Sequence, residues 1–117
     1  MGNSLDTTLT VAPIADGVSL TLTVENAGQT PINLSFADGQ RAEFVAVGDE
    51  GTEVWRWSDG QMFAMALGSE TLAPGESAAY EAEWSSPPSG EYEVTGSLAA
   101  SNVDASETML VVIPAKE

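Results

Sequence analysis

Any chemistry in this chain has to be done without histidine or cysteine. Neither residue occurs among its 117 positions, so no Ser-His-Asp triad, Cys-His dyad or His- or Cys-ligated zinc can be assembled. The single lysine, Lys116, sits next to the last residue, where fraying is expected to deny a Ser-Lys pair any fixed geometry. Carboxylates are plentiful, with 18 Asp and Glu, and a pair of them could serve a glycosidase or an aspartic protease. However, Asp16-Gly17, Asp38-Gly39 and Asp59-Gly60 all fall between strand-like segments, where Asp-Gly reads as a turn. Oxygen ligands suited to calcium gather at Asp49, Glu50 and Glu53 but lack the Asp-x-Asp-x-Asp-Gly spacing, so a solvated acidic hairpin is expected there. No glycine-rich loop with a lysine leads into a helix to cradle phosphate. The expectation is a non-enzyme with no metal and no cofactor.

What remains is surface. Trp55-Arg56-Trp57 puts two large rings on one side of a strand and a guanidinium on the other, and aromatic and Arg side chains are the favoured anchors of interfaces. The candidate partner-binding residues are therefore Trp55, Arg56, Trp57, Ser58, Gln61, Met62 and Phe63, with Pro87 and Pro88 from the stiff Ser85-Ser-Pro-Pro-Ser-Gly90 loop. The competing expectation is that both tryptophans fill a core otherwise built from Ala and Val, that Met62 and Phe63 join them, and that Arg56 pairs with a carboxylate.

The elements that must position these residues are strands. Val18, Leu20, Leu22 and Val24 alternate with polar residues, as a half-buried strand requires. Leu5 to Ala12 precedes it across the Ala15-Asp-Gly17 turn, predicting a hairpin. Ile32, Leu34 and Phe36 make a further one-faced strand. Arg41 to Val47 carries apolar residues on both faces, and Gly48 to Gly51 is an acidic turn. Glu53 to Trp57 is followed by Met62, Phe63, Met65 and Leu67, read as another short strand. Ala78, Tyr80, Ala82 and Trp84 alternate with Ala and Glu. Tyr92, Val94 and Leu98 share a face, and Thr108 to Ile113 closes the chain. Eight or nine strands at intervals of about ten residues, with no helical periodicity, predict an all-β, immunoglobulin-like antiparallel β-sandwich occupying residues 1–117 as one domain. Gly90-Glu-Tyr92 has the spacing of a tyrosine corner, whose phenol bonds backbone just upstream.

Leu, Ile, Val and Phe make up 25 of the 117 residues, about a fifth, so patterning rather than apolar content argues for folding. A net charge of −15, with acids spread along the whole chain, repels nucleic acid and anionic membrane. Its composition looks like the proteome style of salt-loving microbes, in which molar salt shortens the screening length to about 3 Å. The opening Met1-Gly-Asn-Ser-Leu-Asp lacks signal-peptide character, and no apolar run reaches membrane-spanning length. A cytoplasmic monomer is expected.

From Val24 to Trp84 the chain resembles the BsuPI family of intracellular proteinase inhibitors. The resemblance rests on Val24-Glu-Asn-Ala-Gly28, Asp38-Gly-Gln40 followed by Phe44, and Val54-Trp-Arg-Trp-Ser58 with Gly60 and Phe63. Leu72-Ala-Pro-Gly-Glu-Ser77, then Tyr80, Trp84 and Gly90-x-Tyr92, continue the order. It implies an immunoglobulin-like sandwich that inhibits intracellular serine proteases of the subtilisin type. The alternative is a structural or protein-interaction module without inhibitory activity. A substrate-like inhibitor needs a rigid, exposed loop, for which the Trp55 to Phe63 region and the Pro87-Pro88 loop are the two candidates.

Overall fold

The computed structural model describes residues 5–114. The expected hairpin forms from β1 (Leu5–Ile14) and β2 (Gly17–Asn26), and β7 (Ser77–Ser85) pairs with the other edge of β2 to give an antiparallel sheet in the order β1-β2-β7. A second antiparallel sheet runs β5-β4-β8-β9, built from β4 (Ala42–Val47), β5 (Glu53–Arg56), β8 (Gly90–Leu98) and β9 (Ser106–Ile113). A two-stranded ribbon of β3 (Ile32–Phe36) and β6 (Gly68–Leu72) completes the nine strands of the described residues.

Alternation decides which faces meet. Val18, Leu20, Leu22 and Trp84 of the first sheet pack against Phe44, Ala46, Tyr92 and Val94 of the second, forming the main core. Period-two side chains from two sheets interdigitating in this way define a sandwich. A smaller cluster of Val24, Leu34, Phe36, Leu72 and Leu98 seats the β3-β6 ribbon against both layers. Asn26 is wholly buried there. Its amide donates to the carbonyls of Thr30 (2.8 Å) and Leu72 (2.9 Å), and its Oδ1 accepts from the Gly28 amide (2.9 Å), which offsets the cost of burying a polar group.

The tyrosine corner is present. Tyr92 Oη donates to the Pro88 carbonyl at 2.8 Å, and its ring meets Trp84 edge-on at 5.1 Å. The all-β, immunoglobulin-like sandwich is thus the architecture.

One expected element is corrected. Residues 61–67 carry no regular secondary structure, and the strand in this region is β6, beginning at Gly68. Met62, Met65 and Leu67 have no apolar face to pack on and stand exposed at 97%, 97% and 87%. β6 is largely polar, pairs with β3 alone and buries only Leu72.

Candidate functional site

The segment from Trp55 to Leu67 is assembled from β5 outwards. Trp55 stacks on Trp84 with centroids 5.3 Å apart and planes 14° from parallel. Trp57 meets Phe44 edge-on at 6.3 Å and tilts against Phe63 at 5.7 Å. Both tryptophans are half-buried and pack on the main core, so they tie an edge strand down. After them, residues 57–60 form a turn, closed by the Gln61 amide donating to the Ser58 carbonyl at 3.0 Å. The chain then runs as an exposed, irregular loop to Gly68.

That loop is pinned at its start, middle and end. At the start, Glu43 of β4 accepts at Oε1 from the backbone amides of Phe44 (3.0 Å) and Ser58 (3.1 Å), and at Oε2 from Arg56 Nη1 (3.3 Å). Burial pushes the Glu43 carboxyl up, but hydrogen bonds from Ser58, Phe44 and Arg56 together outweigh it and leave the pKa below the ordinary value. Arg56 also binds Glu53 through Nη2 at 2.7 Å, which together with Glu43 holds it in its charged form. The expected pairing of Arg56 with a carboxylate is thus present, with two partners.

In the middle, the Gly39 amide donates to the Ala64 carbonyl at 2.7 Å. Backbone comes so close that a Cβ on residue 39 would lie 2.9 Å from the Ala64 nitrogen, so this position requires glycine. Phe63, turned inward on Trp57, is the adjoining side-chain anchor.

At the end, Arg41 donates through Nη1 to the Asp38 carbonyl (2.8 Å) and through Nε to Glu70 (3.1 Å), while its guanidinium lies 4.3 Å from the centre of the Phe36 ring. Gly68, the first residue of β6 after the loop, lies against that guanidinium, where a Cβ would come within 2.6 Å of Nη2. Tyr80 donates to the other oxygen of Glu70 at 3.2 Å. Burial, then the charge of Glu70, push its pKa up to about 12, so it remains a neutral donor. Of the three basic residues in the chain, Arg56 pairs with Glu43 and Glu53 just before the loop and Arg41 pairs with Glu70 just after it.

The candidate residues divide by exposure. Gln61 and Met62 are exposed, whereas Trp55, Arg56, Trp57, Ser58 and Phe63 are half-buried supports. Pro87 is half-buried and Pro88 exposed. Pro87 lines a groove of about 630 Å³ between β1 and β9, with Val11, Ile14 and Met109. Trp57 and Phe63 line a separate cavity of about 330 Å³, with Arg41, Phe44 and Tyr80. The two regions share no lining residue and are not brought together. Met65 and Leu67, and the clamps Glu43, Gly39 and Arg41, were not legible as site residues. The available signal was the six-residue apolar run Met62-Phe-Ala-Met-Ala-Leu67, which lacks the alternation of a half-buried strand. Lys116 lies outside the described residues, and among these no cluster of three or more carboxylates is placed to hold a metal ion.

Arranged in this way, the loop leaves Met62, Met65 and Leu67 in solvent. No helix among the described residues is long and apolar enough to cross a membrane. No curated protein matches the chain. Among solved structures, the β-D-glucoside glucohydrolase of Trichoderma reesei is similar over 96% of this chain and 19% of its own, with 12% identity and a TM-score of 0.53. The β-glucuronidase of Bacteroides uniformis is similar over 91% and 13% respectively, with 12% identity and a TM-score of 0.50. At such identity the likeness concerns the fold, and this chain spans less than a fifth of either enzyme. Residues 5–103 match the BsuPI family, described as intracellular proteinase inhibitor, and with most of its length inside that match the chain belongs to this family.

Proposed function

We propose that the protein is a reversible, non-catalytic inhibitor of subtilisin-type serine proteases in the cytoplasm, and that it presents the loop of residues 58–67 to them. The observation that carries this reading is an apolar loop that is both exposed and tied down. Large apolar side chains left in water cost free energy that burial in a partner returns, roughly 1.5–3 kcal/mol for each one fully covered. A loop already held in place loses little conformational freedom on docking, so more of that gain appears as affinity. Proteases take extended segments, and a main chain fixed beforehand can be gripped by backbone hydrogen bonds in the manner of strand addition. Around the apolar centre, Asp59, Gln61 and Ser69 are exposed and polar, as the rim of an interface is.

A second reading, a structural or protein-interaction module without inhibitory activity, is favoured by the similar sandwiches that make up only 19% and 13% of two much larger chains. Titrating the purified protein into a subtilisin-like protease from the same organism separates the two. Stoichiometric, reversible loss of peptidase activity is expected. Full activity at high micromolar protein, in salt where folding has been verified, rejects inhibition and leaves the module.

A further inference from the structure

We infer that Met65 is the side chain that enters the principal specificity pocket of the protease, with Met62 occupying a second apolar pocket three residues upstream. This rests on the inhibitor reading and adds to it the contact residues and the kind of pocket they fit.

The loop holds three large exposed apolar side chains, and their backbone surroundings differ. Leu67 immediately precedes Gly68, which is already paired with Phe36 in the ribbon, so no unpaired chain follows it for a cleft to grip. Met62 comes directly after the turn closed at Gln61, so little extended chain precedes it. Met65 has four loop residues before it and two after it within the irregular stretch 61–67, which leaves unpaired chain for a cleft to grip on both sides. Its neighbours Ala64 and Ala66 are small, so a cleft wall can close on the backbone without meeting a side chain. The tie to Gly39 uses the carbonyl of Ala64, one residue earlier, and fixes where Met65 stands.

Met65 is 97% exposed, so nothing within the sandwich gives this large side chain a packing role. The same holds for Met62, also at 97%. Both methionines stand free of the sandwich and can be presented to the protease, while Phe63 stays on Trp57. An unbranched thioether suits an apolar pocket of loosely defined shape.

The test compares inhibition constants of Met65→Asp, Met62→Asp, Leu67→Asp and, on the remote strand β9, Leu110→Asp. Leu110 is 62% exposed and serves as a control for added charge. All four are expected to keep the wild-type unfolding midpoint within the scatter of surface substitutions. Met65→Asp is expected to weaken inhibition by roughly 100-fold and Met62→Asp by roughly 10-fold, as for a central and a secondary anchor. Leu67→Asp and Leu110→Asp should stay within about threefold, as non-anchor positions do. A gain-of-function arm uses Met65→Lys against trypsin, whose pocket carries a carboxylate. It is expected to inhibit trypsin at least about 100-fold better than the wild type does, the scale of one well-placed anchor. Wild-type protein that inhibits no subtilisin-like protease overturns the inhibitor reading and this inference with it. Wild-type inhibition that Met65→Asp leaves within threefold, or trypsin inhibition gained by Met62→Lys in place of Met65→Lys, overturns the inference alone.

Discussion

The amide of Gly39 donates a 2.7 Å hydrogen bond to the carbonyl of Ala64, fastening the 58–67 loop to the Asp38-Gly39 turn. The turn is itself braced, since Asp38 Oδ1 accepts from the Gln40 amide at 2.9 Å and the Asp38 carbonyl accepts from Arg41. The loop's backbone is therefore tied at Ala64 to the β3-β4 connection, in addition to its ties through Glu43 and Phe63. Gly39→Ala would set a Cβ 2.9 Å from the Ala64 nitrogen, a backbone contact that only movement of the loop can relieve. We expect inhibition to weaken by about tenfold or more while global stability falls by no more than about 1 kcal/mol, because the core is untouched. Inhibition assays and denaturant unfolding on the same sample check this. A stability loss without loss of inhibition would mean that the pin is structural only.

Glu43 gives the loop's start a pH dependence. Its pKa lies below the ordinary 4.5, so the charged form is favoured in the folded state. That preference stabilises the protein above the ordinary carboxylate value and is lost as pH falls through the folded value. Glu43→Gln cannot ionise and lacks this contribution. The wild type is expected to melt above the variant at neutral pH, with the gap closing as the pH is taken below 4.5. Measuring the difference between the two removes the relief of general acidic repulsion, which both share. A gap unchanged down to about pH 3 would show that the Glu43 charge does not matter to the clamp.

Much of the sandwich was written in side-chain alternation. Val18, Leu20, Leu22 and Val24 alternate in sequence and are all buried in β2, and the Gly-x-Tyr spacing gave the corner that Tyr92 makes with Pro88. The loop is less legible because the apolar run Met62 to Leu67 has the composition of a buried strand, yet its large side chains other than Phe63 stand in water. The clamps were not legible at all, since Glu43, Gly39 and Arg41 act on residues 15 to 29 positions away, through contacts that only the β3-β6 and β4-β5 pairings create. Strand β6 is not legible because Ser69, Glu70 and Thr71 carry no period-two apolar signal.

The acidic surface has a specific weak point. Asp6 of β1 stands directly opposite Glu25 of β2 in the antiparallel register, and both are exposed. Like charges placed across strands repel, and salt screens exposed pairs. With a net charge of −15 behind them, the whole fold is expected to melt higher in molar KCl than in dilute buffer. Asp6→Asn should raise stability by about 0.5 kcal/mol in dilute buffer and by far less in molar KCl. An unfolding midpoint that does not rise with salt rejects the general effect, and equal gains at both salt levels reject the cross-strand pair as its local source.

Exposed methionines at the proposed contact make inhibition sensitive to peroxide. Hydrogen peroxide transfers one oxygen to the thioether sulfur, giving the sulfoxide and water, and turns an apolar side chain polar. Met62 and Met65 are almost fully exposed, whereas Met109 is half-buried beside the β1-β9 groove, so mild treatment should oxidise the loop pair first. A sulfoxide carried into an apolar pocket must shed water without a fixed donor to replace it, so inhibition is expected to weaken by about tenfold or more. The unfolding midpoint should stay where it was, because neither side chain supports the core. Methionine sulfoxide reductases should restore inhibition, since the oxidation is reversible. The decisive comparison is the double variant Met62→Leu, Met65→Leu, which keeps apolar side chains of similar size. It should inhibit before peroxide and equally well after it; if it loses inhibition as the wild type does, the sensitive group lies elsewhere and the loop methionines are not the contact.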